Sequence, residues 1–198
     1  MPERTPRPVA DPRILRAIAH PVRNRILGEL SAAGPSRAAD LAHDLDIPAN
    51  QASFHLRQLA KYGLVEEAPD LARDRRDRVW RAVHEEGITV ETSRMEEAAG
   101  GAAAVRVFHR TLSAWAHAVV DAAFSTAKIP DTQRTIADYR IKLTKTEAAE
   151  LSAELDAVVQ AWTDRTRGRD SSRRTYVLLS MLQPETALTL HPEDDGEE

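Results

Sequence analysis

Between Ala38 and Val65 the apolar residues recur every three or four positions in two short runs, broken at Asp46-Ile47-Pro48. That spacing predicts two short helices joined by a tight turn. At 100° per residue, Ala52, Leu56, Leu59 and Gly63 share one face of the second helix, with Ala60 beside them. The opposite face carries Asn50, Gln51, Phe54, Arg57, Gln58 and Lys61. Gly63 ends the helix and Leu64-Val65 opens a strand. Two β-prone runs, Leu64 to Glu67 and Arg78 to Val83, flank a charged stretch from Ala68 to Asp77, the pattern of a hairpin.

The second half is patterned differently. From about Thr92 to Lys128 the chain reads as one long helix or two joined ones. Met95, Ala98, Ala102, Val105, Leu112, Ala116, Val119 and Ala123 form one apolar stripe; Val107, Phe108, Trp115 and Phe124 add a second. A helix apolar on two sides needs cover on two sides. Gly100-Gly101 interrupts it, either as a break or as a close crossing of two helices at a dimer axis, and the crossing is the preferred expectation. Tyr139, Ile141 and Leu143 alternate with Asp138, Arg140 and Lys142, which predicts a half-buried strand. Thr144 to Glu147 is a capping box opening a helix with Ala148, Leu151, Leu155, Val158 and Trp162 on one face. Arg165 to Arg174 reads as a loop, and Tyr176 to Leu182 as a covered strand ended by Pro184.

The helix, turn, helix and charged hairpin suit a DNA groove. A helix of this size fits a major groove about 12 Å wide. Asn and Gln can pair with adenine through two hydrogen bonds, and Arg can do so with guanine. Asn50, Gln51, Phe54 and Arg57 are therefore candidate base contacts, and Lys61 a phosphate contact. Phe54 either meets a thymine methyl or sugar, or packs under a neighbouring element. Arg73, Arg75, Arg76 and Arg78 crowd the hairpin tip, within reach of phosphates or a minor groove. Asp74 and Asp77 leave a plain solvated loop as the alternative.

Asp11 to Val83 resembles the winged helix-turn-helix domain of ArsR-type bacterial transcriptional regulators. The resemblance is carried by Leu15 to Arg23 (LRAIAHPVR), Arg25-Ile26-Leu27, Ser53 to Leu59 (SFHLRQL) and Gly63-Leu64-Val65. It implies a DNA-binding, usually dimeric repressor switched by an effector. It also implies that Ser53 and His55 hold the family's DNA-contacting positions, with His55 mainly on phosphate; a structural role for His55 inside the domain stays open. Pro48 departs from the family pattern, since many relatives place Ser or Thr there as a helix cap; Asp46 is the substitute expected here. The chain has no cysteine, which excludes thiolate sensing of soft metals. His109, His117 and Asp121 lie on the long helical segment, but His109 is two turns from His117, and surface or interface histidines explain them without a metal.

Composition sharpens the division. The 198 residues are 42% apolar, enough for real cores, and no run approaches the roughly 20 apolar residues of a membrane span. The Pro- and Arg-rich first ten residues lack a hydrophobic segment and give no secretory signal. Residues 1–83 carry a net charge of +3 and residues 84–198 a net of −7, which sets a DNA-touching part against a part that does not touch DNA. No Gly-rich phosphate loop, GxSxG elbow or HExxH motif is present, so no enzyme is expected.

The expected fold is mainly α with small β: a winged helix-turn-helix domain, a long dimerisation helix and a C-terminal strand-helix-strand unit. The expected divisions are a disordered arm at 1–10, the DNA-binding domain at 11–83, a linker and dimerisation helix at 84–128, an α+β dimerisation or effector region at 129–190, and an acidic disordered tail at 191–198. Gly100, Gly101, Val105, Leu112, Trp115 and Val119 are the candidate dimer contacts. The expected function is a homodimeric cytoplasmic regulator, a repressor, acting on double-stranded DNA without a cofactor. A small-molecule effector stays open, with Trp115, Phe124, Trp162 and Tyr176 as aromatics for a pocket. The rival expectation is a winged helix serving as a protein-interaction module.

Overall fold

The computed structural model describes residues 7–9, 11–73, 78–84, 88–90, 96, 100–168, 170 and 172–185. The chain is mainly helical, with a small three-stranded antiparallel sheet, an N-terminal winged helix-turn-helix and long helices beyond it. Helix α1 (Pro12–Ile18) starts where Asp11 accepts the backbone N–H of Arg13 at 2.8 Å, with proline in the first turn. Helix α2 (Pro21–Ala33) follows His20. A two-residue strand β2 (Ser36–Arg37) leads into α3 (Ala38–Asp44), and α4 (Ala49–Lys61) follows the turn.

That turn is not built as the sequence suggested. Asp46 does not cap α4; it takes a left-handed backbone, φ +50°, and makes the step between the helices. Ile47 N–H donates to the carbonyl of Ala42 at 3.0 Å, and Pro48 sits at the cap position with no side-chain oxygen to offer. The Asn50 side-chain oxygen takes the N–H of Gln51 instead, at 2.9 Å. At the other end Gly63, φ +66°, lets Leu64 N–H reach back to the Leu59 carbonyl at 3.1 Å. This closing motif needs a residue with no Cβ penalty in that region, which accounts for the glycine.

The hairpin then forms as expected from β3 (Val65–Glu67) and β4 (Val79–Ala82), paired Val65 to Ala82 and Glu67 to Trp80. On the other edge of β4, β2 pairs Ser36 with Trp80. Two residues carry too little periodicity to announce a strand, so β2 was not foreseen. The core beneath gathers Ala17, Ile26, Leu30, Leu41, Leu56, Leu59, Leu64, Val65 and Trp80 from four helices and the hairpin. Arg25 ties α2 to the end of α3 by donating to the Leu45 carbonyl at 2.7 Å.

A strand within the N-terminal arm was not foreseen. Strand β1 (Arg7–Val9) pairs in parallel with β5 (Ile88–Val90), in the register Arg7 to Ile88 and Val9 to Val90. The pairing partner lies some eighty residues downstream, beyond what a local pattern can reveal.

Helix α5 (Gly101–Phe124) begins at the glycine pair. Gly100 has φ +75° and stands at the cap position, a left-handed backbone that suits glycine. Ala104 and Val105 bury fully against Leu15 of α1. Helix α6 (Lys145–Thr166) opens on the foreseen capping box, with Glu147 N–H donating to Thr144 Oγ1 at 3.2 Å and Thr144 N–H donating to Glu147 Oε2 at 2.7 Å. The two strands expected around it are not formed. Among the described residues, 132–144 and 173–184 enter no ladder, although the two segments touch where Gln133 N–H donates to the Tyr176 hydroxyl at 3.2 Å. Their apolar side chains stand in solvent, Tyr139 at 80% and Leu178 at 71% exposure.

Candidate nucleic-acid interface

Helix α4 is divided as its periodicity required. Ala52, Leu56 and Leu59 are wholly buried, while Asn50, Arg57 and Lys61 are exposed and Gln51, Ser53 and Gln58 are half-buried. Arg57 and Lys61 have no hydrogen-bond or ion-pair partner among the described residues, so their charges are available to a ligand. Phe54 projects from the same side at 50% exposure; it does not pack under the hairpin. A polar, cationic surface centred on one large ring is thus held rigid by the leucines behind it.

His55 lies elsewhere. It is 5% exposed, turned into the domain, with its ring centroid 4.5 Å from that of His20 and 5.3 Å from Phe54. The Nδ1 atoms of His20 and His55 and the Nε of Arg23 are buried without hydrogen-bond partners. Burial, then the neighbouring Arg23 cation, holds His20 below its ordinary pKa; burial, then His20 and Arg23, does the same to His55. Burial also lowers Arg23. The expected phosphate contact by His55 therefore has no place on the outer face. The structural role inside the domain fits its position. Sequence reasoning missed the pairing with His20, although both residues stood in the quoted motifs.

On the hairpin, Arg75 and Arg76 lie outside the described residues. Arg73 and Arg78 are exposed. Arg78 faces Glu67 at 3.5 Å, and Arg81, one strand position in, pairs with Glu66 at 2.7 Å and Asp70 at 3.8 Å. These pairs are solvent-exposed and cost little to open toward a phosphate.

The expected dimer contacts divide between two surroundings. Gly101 and Val105 are already covered by α1 of the same chain, and Arg16 lies against Gly100. Leu112 and Trp115 face a cavity between α5 and the helix-turn-helix, whereas Val119 lies beyond it, half-buried. Of the four aromatics named for an effector pocket, Trp115 lines that cavity; Phe124, Trp162 and Tyr176 are exposed and stand apart from it. His117 Nδ1 donates to the Ser113 carbonyl at 2.7 Å, and His109 packs beside Phe108. Among the described residues no group of three or more His, Cys, Asp or Glu could hold a metal ion, and no helix is long and apolar enough to cross a membrane.

Residues 18–68 match the model of a family described as a helix-turn-helix domain. The chain carries a helix-turn-helix domain. The match spans α2, α3, α4 and the first strand of the hairpin, the elements that present Asn50 to Lys61. With the exposed polar face of α4, it supports DNA binding. No curated protein matches the chain. Among solved structures, the transcriptional regulator Tm0710 from Thermotoga maritima aligns with 79% of this chain and 85% of its own, at 13% identity and a TM-score of 0.30. No residue role is carried over from it.

Proposed function

We propose that the chain is a sequence-specific, cytoplasmic repressor of the ArsR-like kind, acting as a homodimer on a two-fold operator under the control of a small-molecule effector. The observation that carries the DNA reading is the division of α4: leucines wholly buried on one face, Asn50, Gln51, Arg57 and Lys61 on the other. Asn50, Gln51, Ser53, Phe54 and Arg57 would meet base edges, and Lys61 with the hairpin arginines would hold phosphates. The dimer is supported by unpaired apolar surface. Val120, Phe124, Leu155, Val158 and Trp162 are exposed on α5 and α6. A stable dimer buries roughly 800 Å² per partner, which surface of this kind can supply. Two copies would then read half-sites about one helical turn apart.

The test is a salt-titrated binding assay with the whole chain, comparing DNA from upstream of its own coding region with a scrambled duplex. Competitor-resistant binding to the native fragment, falling steeply with salt through counterion release, supports the proposal. Weak, equal binding to both duplexes counts against repression of its own gene. One observation favours a second reading. Phe54 is a large ring standing half out of a polar face, as a protein-interaction surface would have it. Binding to a protein through that ring would persist at raised salt.

A further inference from the structure

The apolar stripe of α5 is covered at one end and uncovered at the other. Ala104 and Val105 are sealed against Leu15 with Phe108 packed beside them, but further along, at Leu112 and Trp115, the helix borders open space. The wedge so opened is a cavity of about 360 Å³. Its opposite wall is α2, through Asn24, Leu27, Gly28 and Ser31; its end is the root of the hairpin, through Leu64 and His84. A Cβ built on Gly28 meets nothing within 4 Å, so no packing within this chain requires glycine at that point of the wall.

We propose that this wedge is the binding site for a small neutral molecule with an aromatic or branched apolar body and one or two hydrogen-bonding groups. The inference rests on the reading of the chain as an effector-controlled regulator and gives that control a location. The volume falls within the range of small-molecule pockets, at the junction of two structural units where such pockets concentrate. No Asp, Glu, Lys or Arg is among the lining residues, so a charged ligand would be desolvated without a counter-ion. Asn24, Thr111 and His84 offer hydrogen bonds along walls that are otherwise apolar. Leu64 of this lining follows directly on the closing turn of α4, so an occupant touches the support of the recognition helix. It also stands between that domain and α5, and thereby sets the angle between the DNA-reading part and the proposed dimer helix.

The experiment uses the whole chain and N-phenylnaphthylamine, a neutral apolar fluorophore, with energy transfer from tryptophan as the readout. Saturable binding of one probe per chain is expected, with transfer reduced in Trp115→Phe, since Trp80 and Trp162 remain as donors. Gly28→Phe, which fills open space, is expected to weaken binding by at least about tenfold. Phe124→Ser, on the exposed face, is expected to leave it unchanged. The proposal is overturned if no saturable binding occurs, or if Phe124→Ser weakens the probe while Gly28→Phe does not, which would put it on the outer surface. It is overturned too if Gly28→Phe turns dimers into monomers, because a second copy would then occupy the wedge. The same samples are titrated with the upstream DNA. Probe binding without specific binding to the upstream DNA leaves the pocket standing and removes repression of the chain's own gene; DNA binding without probe binding does the reverse.

Discussion

Replacing Gly28 with alanine isolates a single physical term. Gly28 lies in the interior of the 13-residue helix α2 with helical backbone, so alanine there incurs no left-handed strain. Glycine in a helix interior costs about 1 kcal/mol relative to alanine, through the extra freedom it loses on folding. The added methyl meets no atom within 4 Å, so neither a clash nor a packing gain alters that figure. The whole propensity difference should therefore appear as stability, about 1 kcal/mol, or a rise of roughly 2–4 °C in Tm for a chain of this size. Thermal and urea unfolding of the two proteins at one fixed concentration would measure it, since any association makes Tm depend on concentration. A variant less stable than the parent would refute the reasoning: the space above Gly28 would be filled in the folded protein by something alanine displaces.

In the recognition helix, Gln51→Ala and Arg57→Ala should change which bases are preferred, by about 1–3 kcal/mol at the position each reads. Lys61→Ala should weaken all duplexes alike and reduce the salt slope by about one; competition binding against a panel of duplexes, repeated at several salt concentrations, separates the two behaviours. His20 and His55 have lowered pKa values in the folded chain, so the unfolded chain takes up protons first. Stability should be full above the ordinary histidine value of 6.5 and decline as pH falls below it. Urea unfolding across that range should show a flatter decline for His55→Gln, and an unchanged slope would remove the histidine pair as the cause. Ile141→Asp should leave the helix-turn-helix folded and shift sedimentation toward the monomer; an unaltered profile would exclude this segment from the proposed dimer interface.

The helix-turn-helix was legible because its determinants are local. The leucines of α4 mark its buried face by their spacing alone, and Gly63 marks its end because only a left-handed step closes that turn. The Thr144 to Glu147 box was legible for the same reason, both of its hydrogen bonds spanning three residues. What was not legible depended on distant partners. Strand β1 forms through residues 88–90. His55 is drawn inward by His20, thirty-five positions earlier, and a motif carried over by resemblance could not say which way its ring turns. The cover that Ala104 and Val105 find on Leu15 is likewise a contact between residues far apart in the sequence.

Beyond Phe124 the pattern and the structure part for a different reason. Alternation at Tyr139, Ile141 and Leu143 states that one face of that segment is to be buried; it does not state by which molecule. Among the described residues they stay largely exposed, as do Tyr176, Val177 and Leu178 and the apolar side of α6 at Leu155, Val158 and Trp162. The ties of this region to the domain are sparse and polar, such as Thr175 Oγ1 donating to the Glu29 carboxylate at 2.9 Å. One apolar helix face and two β-prone segments without strand partners are costly to leave in water. The N-terminal domain, by contrast, has already closed its core. A chain so divided satisfies its local rules alone in the half that carries the helix-turn-helix. In the other half it satisfies them only when a second surface is brought up, and the copy proposed here brings the same unpaired segments and the same apolar faces to meet them.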